Sequence, residues 1–267
     1  MDLNSVEPLA KLKKVWDYCT YNKPFFILVL ILFVILNFLQ DYYEPDKMGI
    51  VYLVFFNIFI SGYWMTVTRD RISGGVRLPK ILVKDVLNLG IKSTIVSAVY
   101  ATVQGFVLDL VSSPMNFPEF DLEEMLLDFP ETIHTLISHN PVDAAYFIIL
   151  GAIIFYVTTF FMEIALARLA DTGSIVAAFN LPEIKKDIDI LGWKNYVKEY
   201  TAIILAIVLI AYFQYITLTD IYLNYIWGLL LDLFIYATQF LGIGAVYAQI
   251  KERKLQLAEE DHLILND

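Results

Sequence analysis

One cysteine, Cys19, and three histidines are scattered through 267 residues. A lone thiol excludes an internal disulfide and any thiolate metal cluster. The sequence contains no GxxxxGK[ST], HExxH or GxSxG, so phosphate loops, zincin sites and nucleophile elbows have no foothold. No basic stripe with interleaved aromatics occurs, and nucleic acid is not an expected partner. What the chain has in excess is apolar mass. Hydrophobic residues make up 58% of it and the mean hydropathy is +0.61, above the 45–50% apolar content usual for soluble domains. The net charge of −10 is an average over separated blocks of charge and says little about partners.

Long apolar runs alternate with charged segments, which predicts an all-α membrane protein. Lipid offers no partner for an open backbone, and the runs lack the alternation of a barrel. A polar cytoplasmic lead, 1–23, precedes a membrane domain, 24–250, with spans at 24–40, 48–68, 91–111, 145–169, 199–219 and 225–250. An extracytoplasmic loop, 112–144, and a cytoplasmic tail, 251–267, complete the division. The first apolar run ends in QDYYEPD without a small-residue cleavage site, and so reads as an uncleaved span. With six spans, 18 of the 19 lysines and arginines fall on one side, Lys47 being the exception. Basic residues remain cytoplasmic, which puts both termini inside and the chain in the cell membrane as a multi-pass protein.

Two cytoplasmic loops echo one another. The first carries Leu78-Pro79 and ends at Gly90; the second carries Leu181-Pro182 and ends at Gly192. Proline suits a first helical turn and glycine a C-terminal cap, so each loop is expected to form a short amphipathic helix at the lipid headgroups. The expected interfacial residues are Arg69, Arg71, Arg77, Lys80, Lys84, Lys185, Lys186 and Trp193. The fold predicted is therefore a six-span helical bundle with two interfacial amphipathic cytoplasmic helices.

The pattern GYxxxxxRxxxxGxxxLP, formed by Gly62, Tyr63, Arg69, Gly74, Leu78 and Pro79, resembles a family of archaeal membrane proteins common in methanogens, domain of unknown function 4013. The later ARLADTGSIVAAFN, with Arg168, Gly173, Ala177, Ala178 and Phe179, then Trp193 and Tyr196, resembles that family's second half. The resemblance implies an archaeal cell-membrane location and carries no activity.

Chemistry-bearing groups are few. The loop 112–144 holds seven carboxylates and no base. Glu119, Asp121, Glu123 and Glu124 are its candidates for a hard divalent cation, against the simpler reading of a solvated acidic face. Glu163 and Asp232 are the intramembrane acids, and such groups are frequently functional. Glu163 lies near Arg168, which suggests an ion pair, and Asp232 is expected to approach Asp109 or Gln104. No cofactor is expected. The expected partners are the lipid bilayer and another membrane protein or a further copy of the chain. The leading reading is a non-enzymatic membrane-organising or assembly protein. The alternative is a small transporter or channel using the intramembrane carboxylates, with a membrane-embedded enzyme far behind.

Overall fold

The computed structural model of the chain describes residues 8–42, 47–113, 135, 137, 138, 140–217 and 221–264. Among these there are helices and no strands. They are α1 (Pro8–Thr20), α2 (Lys23–Tyr42), α3 (Lys47–Ile72), α4 (Val83–Ser112), α5 (Pro141–Thr172), α6 (Ile175–Phe179), α7 (Leu181–Leu191), α8 (Trp193–Thr217) and α9 (Ile221–Ile264). Among the described residues, four helical stretches are long and apolar enough to cross a membrane: Val83–Ser112, Pro141–Thr172, Trp193–Thr217 and Trp227–Glu260. The chain is thus a membrane-spanning helical protein. The first two expected spans do not meet that standard among the described residues; of α2, the apolar stretch found is the shorter Lys23–Leu32.

The chain divides into two units, Met1–Val96 with Glu163–Asp267, and Ser97–Met162. The first is organised around α9, against which α1, α2, α3, α7 and α8 all pack. Over half of α9's apolar stretch, 56%, is buried, against 6% for α4, so α9 is the central post. Trp64 of α3 stacks on Tyr236 and Phe240 of α9, each at 6.3 Å. Thr68 donates to the Phe240 carbonyl at 3.1 Å. Gly242 and Gly244 allow the approach: a methyl at Gly244 would stand 3.0 Å from Arg71 Cβ and one at Gly242 2.8 Å from Ile203. In the second unit, Phe106, Leu110, Tyr146, Ile149 and Ile153 are exposed. Large apolar patches of this kind mark surfaces made for something other than water.

Residues 8–20 of the lead form a helix packed within the first unit. Val15, Tyr18 and Cys19 are buried, on one face at helical spacing. Trp16 stacks on Phe234 at 5.3 Å. Lys11 reaches Glu199 of α8 at 2.6 Å, and Tyr18 donates to Asp70 Oδ2 at 2.7 Å. Burial, then the Asp70 hydrogen bond, raises the Tyr18 phenol far above its ordinary value, and burial pushes the Cys19 thiol up to about 12.

The first expected interfacial helix is not a separate element. Residues 78–82 are non-helical, α4 opens at Val83, and Gly90 lies inside it, buried. Gly90 serves close approach instead of capping. A methyl there would overlap the Ile58 carbonyl of α3, and one at Gly62 would overlap the Val86 carbonyl of α4. Ser61 and Ser93 share a 2.6 Å hydrogen bond in the same seam. Small residues let membrane helices meet backbone to backbone, and α4 runs on through Gly90 at that contact. The second expected helix does form. Asn180 accepts from Glu183 N–H, Pro182 occupies its first turn, and Gly192, at φ +89°, closes it. Its apolar face, however, lies against protein: Ile184, Ile188 and Leu191 are buried on α8 and α9.

A candidate functional site at the end of the central helix

Near the junction of α5, α7 and α9 the structure gathers buried charge. Asp187 sits on the apolar stripe of α7, between Ile184 and Ile188, and is fully buried. Arg168 Nη1 meets its Oδ2 at 2.5 Å, and Lys254 Nζ stands 2.5 Å from Oδ1. The second contact is a charge pair whose geometry is not that of a hydrogen bond. The Tyr247 hydroxyl adds a long donation to Oδ2 at 3.4 Å, and Arg168 Nε donates to the Ala177 carbonyl of α6 at 3.0 Å. One carboxylate therefore ties three helices, and its arginine partner reaches a short fourth. Burying a lone charge is prohibitive, but a paired and hydrogen-bonded one can be held.

The neighbouring cations tie down the end of α5. A helix leaves its last carbonyls without partners and carries partial negative charge there. Arg69 Nε donates to the Ala170 carbonyl at 2.7 Å, and Lys92 Nζ to the Gly173 carbonyl at 2.8 Å. Lys251 pairs with Asp171 at 2.8 Å. Gly173 itself, at φ +69°, takes the left-handed turn that ends the helix.

The expected interfacial residues thus separate into two groups. Arg69 is committed to capping, and Arg71 donates to the Gly75 carbonyl at 3.1 Å. Arg77, Lys80, Lys84, Lys185 and Lys186 are exposed. Lys185 pairs with Asp189 at 2.9 Å, and Trp193 Nε1 donates to the same carboxylate at 2.6 Å. These donors, Lys185 first, hold the Asp189 carboxyl below the usual range.

The two intramembrane acids find partners other than those expected. Gln239 donates to Glu163 Oε1 at 2.5 Å, and Arg168 is spoken for by Asp187. Five residues along a helix turn the side chain by about 140°, so Glu163 and Arg168 point apart. Asp232 accepts from Gln214 at 3.1 Å. Gln104 is half-buried and Asp109 exposed, both in the second unit. Glu163 Oε2 is buried without a hydrogen-bond partner among the described residues. Glu119, Asp121, Glu123 and Glu124 lie outside the described residues. Within those, no group of three or more His, Cys, Asp or Glu comes together.

Sequence reasoning missed Asp187, Lys254 and Tyr247 as a cluster. The available signal was an acid at position 187 on an otherwise apolar helical stripe, a placement that demands a cationic partner.

The motif residues have structural duties. Gly62 makes the α3–α4 seam, Arg69 caps α5, Arg168 holds Asp187, and Tyr196 is buried. The profile of the family described as a protein of unknown function, DUF4013, matches residues 48–222. The chain belongs to the DUF4013 family. Its match takes in α5 through α8 and so includes Arg168 and Asp187. Tyr247 and Lys254, on α9, fall beyond it. Neither the curated proteins nor the solved structures contain a match.

Proposed function

We propose that this DUF4013 protein is a non-enzymatic membrane-organising or assembly protein. It would be a six-span bundle in an archaeal cell membrane, with both termini cytoplasmic. The observation that carries this reading is the engagement of its intramembrane acids by amides, Glu163 by Gln239 and Asp232 by Gln214. Such pairs glue helices, each contributing on the order of 1 kcal/mol. Neither acid lines the cleft that opens beside α1. Arg77, Lys80, Lys84 and Lys186 remain exposed for anionic lipid or a partner's acidic face. In this reading the two cytoplasmic loops meet the headgroups through those side chains.

Cross-linking at native expression, followed by purification, tests it. The native chain is expected to retain a defined set of membrane proteins or further copies of itself. The triple variant Arg77→Glu, Lys80→Glu, Lys84→Glu should lose them while still folding. Equal recovery with both would contradict the reading.

A second reading, transport, is favoured by one observation, the unpartnered Glu163 Oε2. It requires ion flux in proteoliposomes that falls with Glu163→Gln or Asp232→Asn. The scaffold reading expects no flux above protein-free vesicles for the native chain or either variant.

A further inference from the structure

A cleft of about 240 Å³ opens between α1, α3, α8 and α9. Its lining joins two chemistries. Lys11, Lys14 and Arg71 bring positive charge and Asp17 and Glu199 negative charge, while Val15, Ile203 and Leu241 make an apolar wall. Lys11 is held by Glu199 and Arg71 by the Gly75 carbonyl, but Lys14 has no ion-pair partner among the described residues. Thr238 lines the same cleft. It is only 2% exposed, and its hydroxyl has no hydrogen-bond partner among the described residues. A buried hydroxyl left unpaired costs free energy, and helical threonines ordinarily satisfy themselves on the preceding turn. This one does not.

We infer that the cleft holds the phosphate headgroup of an anionic phospholipid, with Lys14 supplying charge and Thr238 a hydrogen bond. The volume is below the roughly 300–1,000 Å³ that encloses a drug-sized ligand, and so fits a headgroup rather than a whole lipid. The apolar wall is what separates a lipid from free phosphate: it meets the first carbons below the ester. Lysine is a natural phosphate ligand as a point charge. The inference stands apart from the scaffold reading, since a transporter could carry the same lipid.

The test is binding by the full chain in detergent micelles, read by native mass spectrometry and by the shift in melting temperature. Phosphatidylglycerol, phosphatidylcholine and inorganic phosphate are added in separate arms. Phosphatidylglycerol is expected to bind and to raise the melting temperature, and the other two are not. Lys14→Gln and Thr238→Val should each weaken phosphatidylglycerol binding about ten-fold, the loss of one hydrogen bond to a charged group. Lys13→Gln removes an equal charge from an exposed position of the same helix and should leave binding unchanged. Equal binding of phosphatidylcholine would overturn the inference, as would equal weakening by Lys13→Gln, which signals bulk charge alone. Stabilisation by inorganic phosphate would overturn the lipid assignment in favour of a free anion. Thr238→Val conserves volume, so loss of binding with an unchanged melting temperature in phosphatidylcholine separates a ligand role from a folding one.

Discussion

Asp187 illustrates how a single side chain governs its surroundings. Its pairing with Arg168 and Lys254 adds little net stability over a well-packed apolar alternative, yet removing one partner strands a charge. Arg168→Leu is therefore expected to destabilise the protein by about 3–5 kcal/mol. Lys254 is 36% exposed, and solvent screening reduces the value of such a pair, so Lys254→Ala should cost only about 1 kcal/mol. Melting temperatures in one detergent check that order, and similar losses for the two variants would contradict it. Cys19 gives a second residue-level test. Burial raises its thiol from 9.0 to about 12, so the folded form binds its proton more tightly than the unfolded form. This stabilises below about pH 9 and fades as pH rises towards 12. Because the thiolate is the nucleophile, maleimide at pH 8 should label Cys19 slowly in the native protein and promptly after denaturation. Prompt native labelling would show that α1 does not dock.

Among the elements, the α3–α4 seam makes the sharpest claim. Gly62 and Gly90 face opposing backbone, and Ser61 and Ser93 touch at 2.6 Å. Gly90→Ala is expected to cost about 1–3 kcal/mol through overpacking. The pair Ser61→Cys and Ser93→Cys, in a Cys19→Ser background, should form a disulfide under mild oxidation. Absence of that cross-link would contradict the crossing. This seam also shows where sequence is read well and where badly. Pro182 and Gly192 marked both ends of α7, because start and stop signals act within a few residues. Gly90 carried the same apparent stop signal and meant something else. A glycine that ends a helix and one that admits a neighbouring backbone look alike until the neighbour is known. The cations of the inner loops posed the same difficulty. Position along the chain tells that Arg69 and Lys92 sit beyond apolar runs, but not that they cap carbonyls at Ala170 and Gly173. Those contacts are set by folding across about a hundred residues of chain. The expected Glu163–Arg168 pair is absent for the opposite reason: closeness in sequence is not closeness in space.

At the scale of the whole molecule, α9 collects the others, and its far end carries Tyr247, Lys251 and Lys254 into the charged junction. The family match ends at residue 222, before nearly all of this helix. Deleting the described stretch from Lys251 onward should strip Lys254 from Asp187 and Lys251 from Asp171, and lower the melting temperature more than Lys254→Ala alone. An unchanged melting temperature would show that α9 is not the post on which the bundle closes. The apolar composition made the membrane class legible from the start, because hydrophobic excess is a bulk property independent of fold. The docked lead was harder to see, since three buried positions in a short helix, Val15, Tyr18 and Cys19, make a faint stripe beside four lysines. The proposed topology ties all of this to a side of the membrane. It sets Ser113, at the end of α4, outside, and Asn180, at the start of α7, inside. Single cysteines at these positions, in the Cys19→Ser background, can be probed in intact cells with a membrane-impermeant maleimide. The account expects Ser113→Cys to label from outside and Asn180→Cys to label only after the membrane is opened; labelling of both from the same side would contradict it.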